Sequence, residues 1–198
     1  MHFTPIETTA ATLLTAPAFL TPHECSTLCM LIDRHATPSQ VWEGTAQSYQ
    51  ASAGRTSSTA ILPGKLDPLI ATINQRIATA LGLPMSHGEV MQGQRYGPGQ
   101  QFTDHTDFFK YKWYHLRKQP QRTWTCMIYL NDDCEGGATD FPDLGLSFTP
   151  QTGMALAWYN LDYRGRPNPA TIHAGRPVEA GTKYILTKWF QTRPVSTA

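Results

Sequence analysis

The sequence predicts a mainly β fold, α+β overall, in which two supporting helices precede an all-β core. Two capped, amphipathic segments fall before residue 82. From Glu89 onward, short apolar runs alternate with Gly, Pro, Asn and Asp and no helix intervenes. That texture belongs to a sandwich, barrel or jelly roll rather than to βαβ units. A length of 198 residues suits one domain, with helical support over about 19–82 and the core over about 89–191.

The elements follow in order. Thr21-Pro22-His23-Glu24 is a capping box with proline at the first helical position. Leu28, Leu31 and Ile32 follow at helical spacing, so the first helix is expected from Pro22 to His35. Asp67-Pro68 opens the second, Leu69, Ile70, Ile73, Ile77 and Leu81 line one side, and Gly82 ends it. Residues 42–59 are rich in Gly, Ser, Gln and Ala and are expected as a loop, extended toward Arg55–Ile61. Strands are expected over Glu89–Tyr96, Gln101–His105, Trp124–Leu130, Leu146–Phe148, Met154–Tyr159, Thr171–His173 and Thr182–Gln191.

Composition narrows the function. The net charge is +1, which gives no chain-wide attraction for nucleic acid. No apolar stretch reaches the roughly 18–20 residues of a membrane span, and no basic leader precedes an apolar run, so a cytoplasmic location is expected. Cys25, Cys29, Cys126 and Cys134 lack zinc-ribbon spacing and are expected as free thiols.

Chemistry begins at His105-Thr106-Asp107. In extended backbone, residues i and i+2 share a face, so an imidazole and a carboxylate can converge on one ion. Alone, that spacing is weak, and His173 alone reads as a hydrogen-bonded histidine at a strand end. Together, two histidines and one carboxylate form a facial triad suited to Fe(II) with open coordination positions. Lys183, inside the apolar run Thr182–Phe190, must snorkel or pair. A fixed ammonium there would suit the far carboxylate of a dicarboxylate. A solvent-facing role fits Lys188 better.

These pieces stand among others in a familiar order. They are Phe-Leu-Thr-Pro-His-Glu-Cys at the first helix, Arg55-Thr56-Ser57, Arg95-Tyr96-Gly97-Pro98-Gly99-Gln100 and His105-Thr106-Asp107-Phe108-Phe109. Gln121-Arg122-Thr123-Trp124-Thr125, Tyr129-Leu130-Asn131-Asp132, Gly136-Gly137-Ala138-Thr139-Asp140-Phe141 and the stretch His173–Trp189 follow. Over about 19–190 the chain resembles the prolyl 4-hydroxylase type of Fe(II)- and 2-oxoglutarate-dependent dioxygenase.

The resemblance implies a double-stranded β-helix, a jelly-roll core with iron between its sheets. It implies His105, Asp107 and His173 as iron ligands and Lys183 as partner of the 2-oxoglutarate C5 carboxylate, with Tyr96 and Thr139 as hydrogen-bonding candidates. Arg122 matches a substrate-groove position. The implied reaction takes O2 and 2-oxoglutarate to succinate and carbon dioxide while hydroxylating an unactivated C–H bond, with ascorbate as reductant. A non-catalytic jelly-roll binding or oxygen-sensing protein is the rival of another class; it would have no need of His105, Asp107, His173 and Lys183 together.

The substrate side is less specific. Phe108–Arg122 is dense in aromatic and basic residues and reads either as a lid beside the metal or as a solvated connection. Arg55 and Tyr49 are candidates on the other loop, and Trp189 and Gln191 on the last strand. Gln191 stands where relatives acting on proline-rich peptides often carry histidine. That favours a free amino acid, another small metabolite or a single protein residue over a prolyl peptide, although peptidyl proline stays a close alternative.

Overall fold

The computed structural model describes residues 2–43, 48–50, 52–109 and 120–195, giving the backbone alone for 41–43 and 48–49. The elements run β1 (Thr4–Ile6), β2 (Thr12–Ala16), α1 (Pro22–His35), β3 (Thr37–Pro38), β4 (Val41–Glu43), β5 (Ser48–Gln50), β6 (Ser58–Leu62) and α2 (Pro68–Leu81). They continue with β7 (Met91–Tyr96), β8 (Phe102–His105), β9 (Arg122–Tyr129), β10 (Glu135–Gly136), β11 (Thr139–Phe141) and β12 (Leu146–Phe148). The last are β13 (Ala155–Tyr159), β14 (His173–Gly175), β15 (Val178–Ala180) and β16 (Lys183–Gln191).

Both helices form where their caps and periodicity place them. Thr21 accepts from the Glu24 amide at 3.2 Å while the Glu24 carboxylate accepts from the Thr21 amide at 2.9 Å. Such a cap contributes about 1 kcal/mol. Arg76 of α2 grips the same carboxylate at 2.6 and 3.0 Å and so ties the helices together.

An antiparallel sheet in the order β1-β2-β13-β9-β16-β7-β6-β3 faces a smaller one in the order β12-β11-β14-β8. The period-two alternation of strands then builds two cores. On β9, Cys126 and Ile128 pack toward the helices, and Met127 and Tyr129 point between the sheets. On β13, Ala155 and Ala157 take the helix side and Leu156 and Trp158 the inner side. Phe141 of the small sheet closes the inner core. The result is a jelly roll braced by helices on one outer face.

Gly93 lets α1 approach that face. A Cβ there would stand 2.3 Å from Ile32 Cγ1 and 2.6 Å from its Cδ1. Overpacking of this kind costs about 1–3 kcal/mol. Gly93→Ala will therefore lower Tm, and an unchanged melting curve would show that α1 is not seated on β7 as described.

Several expectations change. Residues within 42–59 are not simply loop, because β4 pairs with β5 and β6 joins the large sheet beside β7. Thr171 lies in a 3-10 turn over Pro169–Thr171, and strand structure begins at His173. The short strands β1, β2, β10, β11 and β15 carry too few alternating residues to stand out from the sequence.

Lys188 is the clearest correction: it is 4% exposed. Alternation does place it opposite Lys183, but that face of β16 is covered rather than solvated. Its ammonium donates to the Glu89 carbonyl, and burial lowers its pKa to about 8.

Candidate metal centre and cosubstrate pocket

β8 and β14 are neighbours in the small sheet, and their register sets His173 opposite His105. Asp107 follows β8 by two residues and turns into the same space. His105, Asp107 and His173 each offer a ligand atom, all within 4.8 Å of one another. Among the described residues no other group of three such side chains converges this way.

Local bonds aim each side chain. His105 Nδ1 lies 2.8 Å from the Thr103 carbonyl and His173 Nδ1 lies 2.9 Å from that of Thr171. A carbonyl only accepts, so each Nδ1 carries the proton and each Nε2 keeps a free lone pair. Burial, and next the neighbouring His173 ring, hold His105 well below the usual imidazole range, so it stays neutral. For Asp107, burial pushes the pKa up, but the neighbouring imidazoles of His173 and His105, the Arg122 charge and a bond from Thr125 outweigh it. Its net shift is downward, and the group is a carboxylate. Two imidazoles and one carboxylate are the donor set that Fe(II) takes.

Aromatic rings fix the imidazoles. Phe102 stacks on His105 with centroids 3.5 Å apart, and Trp158 meets His173 edge-on at 4.7 Å. The cavity beside them is also lined by Tyr96, Thr139, Lys183, Gln94 and Thr187. Lys183 is 1% exposed, and its ammonium donates to the Gly137 carbonyl at 2.5 Å. Burial lowers its pKa to about 8, against the nearby charges of Cys134 and Asp140. Gly137 has φ +68°, and a Cβ on it would lie 3.0 Å from Lys183 Cδ, so glycine suits the turn that cradles the lysine. The Tyr96 and Tyr129 rings each lie 5.4 Å from the ammonium, and the Tyr129 hydroxyl lies 2.7 Å from that of Thr139. The space therefore has a cationic, hydroxyl-rich end and a ligand-bearing end, which matches a metal-chelating dicarboxylate.

A second, more open cavity adjoins the first and shares Arg55, Phe102, His105, Asp107 and Trp189 with it. Arg122 reaches this groove and stacks 4.0 Å over the Trp189 ring. Two bonds of 2.7 Å hold its guanidinium to Glu89. Gln191 donates to the same carboxylate at 2.8 Å. Arg55 donates to Thr59 at 3.1 Å and lies 5.0 Å over the Phe102 ring. The side chain of Tyr49 and residues 110–119, the bulk of the expected lid together with His115, lie outside the described residues.

Residues 91–191 match the description 2OG-Fe(II) oxygenase superfamily. The chain belongs to that superfamily. The curated proteins it resembles include prolyl 4-hydroxylases. The chain is 37% identical over 140 residues to prolyl 4-hydroxylase subunit alpha-2 of Gallus gallus, covering 70% of this chain and 26% of that protein. It is 31% identical over 192 residues to prolyl 4-hydroxylase 2 of Arabidopsis thaliana, covering 86% of this chain and 64% of that one. It thus spans about a quarter of the avian subunit's length. Among solved structures, the 2OG complex of a viral collagen prolyl hydroxylase from Paramecium Bursaria Chlorella virus-1 superposes with TM-score 0.73 at 25% identity. That match covers 91% of this chain and 96% of the viral one.

Sequence reasoning missed Thr125, Tyr129, Gln94 and Thr187 as site residues of this oxygenase. A period-two signal was available for three of them. Thr125, Met127 and Tyr129 alternate along β9, and Thr187 sits between Ile185 and Trp189 on the inner face of β16.

Proposed function

We propose that this chain is a 2-oxoglutarate-dependent dioxygenase that hydroxylates a prolyl residue within a peptide. The observation that carries the peptide over a free amino acid is the open groove continuing from the ligand cluster past Arg122 and Trp189 toward Pro38, Gln40, Ile61 and Gln92. A free amino acid would leave most of that length unfilled. The names of the relatives given above, prolyl hydroxylases, support the same choice.

In this reading His105, Asp107 and His173 hold Fe(II), and Lys183, Tyr96 and Thr139 receive the C5 carboxylate of 2-oxoglutarate. Iron there supplies the oxidative decarboxylation of 2-oxoglutarate by O2, coupled to hydroxylation of a nearby C–H bond. The protein contributes position and exclusion of water. Phe102, Trp158 and Phe141 wall the ligands with apolar surface. Trp189 Nε1 is buried without a partner among the described residues and provides a donor for a peptide carbonyl. Glu89 holds the Arg122 guanidinium flat on Trp189 and so shapes the groove wall.

Ascorbate as reductant and a cytoplasmic site of action belong to the same proposal. The four cysteines are free, which fits a reducing compartment. No helix among the described residues is long and apolar enough to cross a membrane.

The test compares proline-rich peptides with free proline and other amino acids, read as Fe(II)-dependent succinate release and a mass gain of about 16 Da. Peptide should turn over and free proline should not. Turnover confined to free amino acids would return the substrate to the class that Gln191 alone suggests.

A further inference from the structure

Behind the ligand cluster lies a run of buried polar groups that the proposed reaction does not use. Thr125 Oγ1 donates to Asp107 Oδ2 at 2.7 Å, and Asn160 Nδ2 donates to Thr125 Oγ1 at 2.9 Å. The Asn160 carbonyl accepts the Asn168 amide at 2.9 Å. The Asn168 carbonyl in turn accepts the Thr171 hydroxyl at 2.8 Å, and the Thr171 carbonyl accepts His173 Nδ1 at 2.9 Å. Thr125, Asn160 and Thr171 are all 0% exposed, and Asn168 is 8% exposed. Hydrogen bonds, joined through the residues Asn160, Asn168 and Thr171 themselves, thus connect one ligand to another around the back of the site.

The chemistry of the run gives it a direction. A carboxylate accepts only, so the Thr125 hydroxyl must spend its single proton on Asp107. The group 2.9 Å away on Asn160 must then be the amide nitrogen, which leaves Oδ1 without a partner among the described residues. Asn160 therefore forces the hydroxyl to point at the carboxylate and fixes the carboxylate's rotation. Its own backbone is pinned by its amide donating to the Thr123 carbonyl at 2.7 Å. The far limb of the run sets the Thr171 carbonyl, and with it the plane of the His173 ring.

We propose that Asn160 is a positioning residue for the metal: its side chain, acting through Thr125, holds Asp107 in ligating geometry before the ion arrives, and its backbone carbonyl anchors the Asn168–Thr171 limb behind His173. Asn168 extends this to the N-terminal strands, because its Nδ2 donates to the Ala10 carbonyl in the β1–β2 connection at 2.8 Å. The inference rests on the metal assignment made above for His105, Asp107 and His173.

The test is Co(II) binding to the full chain, followed by titration and by the visible d–d absorption of the bound ion. Loss of partners behind a ligand typically costs about 10–100-fold in metal affinity. Asn160→Ala and Thr125→Val should each weaken Co(II) binding by that factor and alter the absorption bands, and Thr125→Ser should restore both. Asn74→Ala is the control, since Asn74 is also buried but donates to the Ile70 carbonyl within α2. It should lower Tm and leave Co(II) binding unchanged.

Wild-type affinity and absorption in Thr125→Val would overturn the inference, whether or not Asn160→Ala folds. Equal Co(II) binding by wild type and Asp107→Ala would instead overturn the metal assignment, and this inference with it.

Discussion

Lys183→Met will raise the 2-oxoglutarate KM by two to three orders of magnitude and leave the fold intact. The side chain is 1% exposed, and among the described residues its hydrogen bond is to a backbone carbonyl. An incoming carboxylate would complete a buried ion pair, and removing one partner of such a pair costs about 3–5 kcal/mol. Methionine keeps much of the volume and removes the charge, so the loss should appear in KM rather than in Tm. A KM within tenfold of wild type would separate Lys183 from cosubstrate binding.

The same residue sets a pH dependence whose sign follows from its depressed pKa. Burial brings the free-site value to about 8, and a bound carboxylate would raise it. Above pH 8 the complex then holds more protons than the free site, so KM should be level below about 8 and climb roughly tenfold per pH unit above it. The slope should vanish in Lys183→Met. Persistence of the slope would assign it elsewhere, with Lys188 on the opposite face of β16 the first alternative, since its pKa is also brought to about 8.

Asp107→Ala will abolish Fe(II)-dependent succinate formation and weaken metal binding well beyond the roughly 10–100-fold expected for a partner behind a ligand. Alanine removes the carboxylate among the three ligand groups and strands the buried Thr125 hydroxyl, a loss of about 1–3 kcal/mol. Some fall in Tm should accompany the chemical defect. Thr125→Val separates the two effects, because it removes the hydrogen bond and keeps the carboxylate. Turnover by Asp107→Ala within tenfold of wild type would remove iron from this cluster.

Much of this site was legible in sequence because its parts lie on strands or, for Asp107, just past the end of one, and strands have a simple period. His105 and Asp107 are two apart, and Lys183 and Trp189 occupy the same face of one run, so the alternation that builds the core also aims these side chains. Periodicity shows the two faces of a strand but not what covers each one. Lys188 was misplaced for that reason, since the Gly88–Glu89 segment against its side chain comes from far away in the chain. The run through Asn160 and Asn168 was hidden for a related reason. Several of its links are backbone carbonyls, which leave no mark in side-chain pattern, and its members span 107–173.

Strand β16 pairs with β7 on one side and β9 on the other. Its inner face carries Lys183 at the pocket end and Trp189 at the groove end, six residues apart, or about 20 Å at the rise of an extended strand. It therefore acts as a ruler between cosubstrate and substrate. A single inserted residue midway would send every later side chain to the opposite face. Phe190 would then turn toward the ligands and the indole toward the helices, while the lysine upstream stayed in place. Evolution can vary the groove by exchanging residues along this strand, but it cannot do so by changing its length.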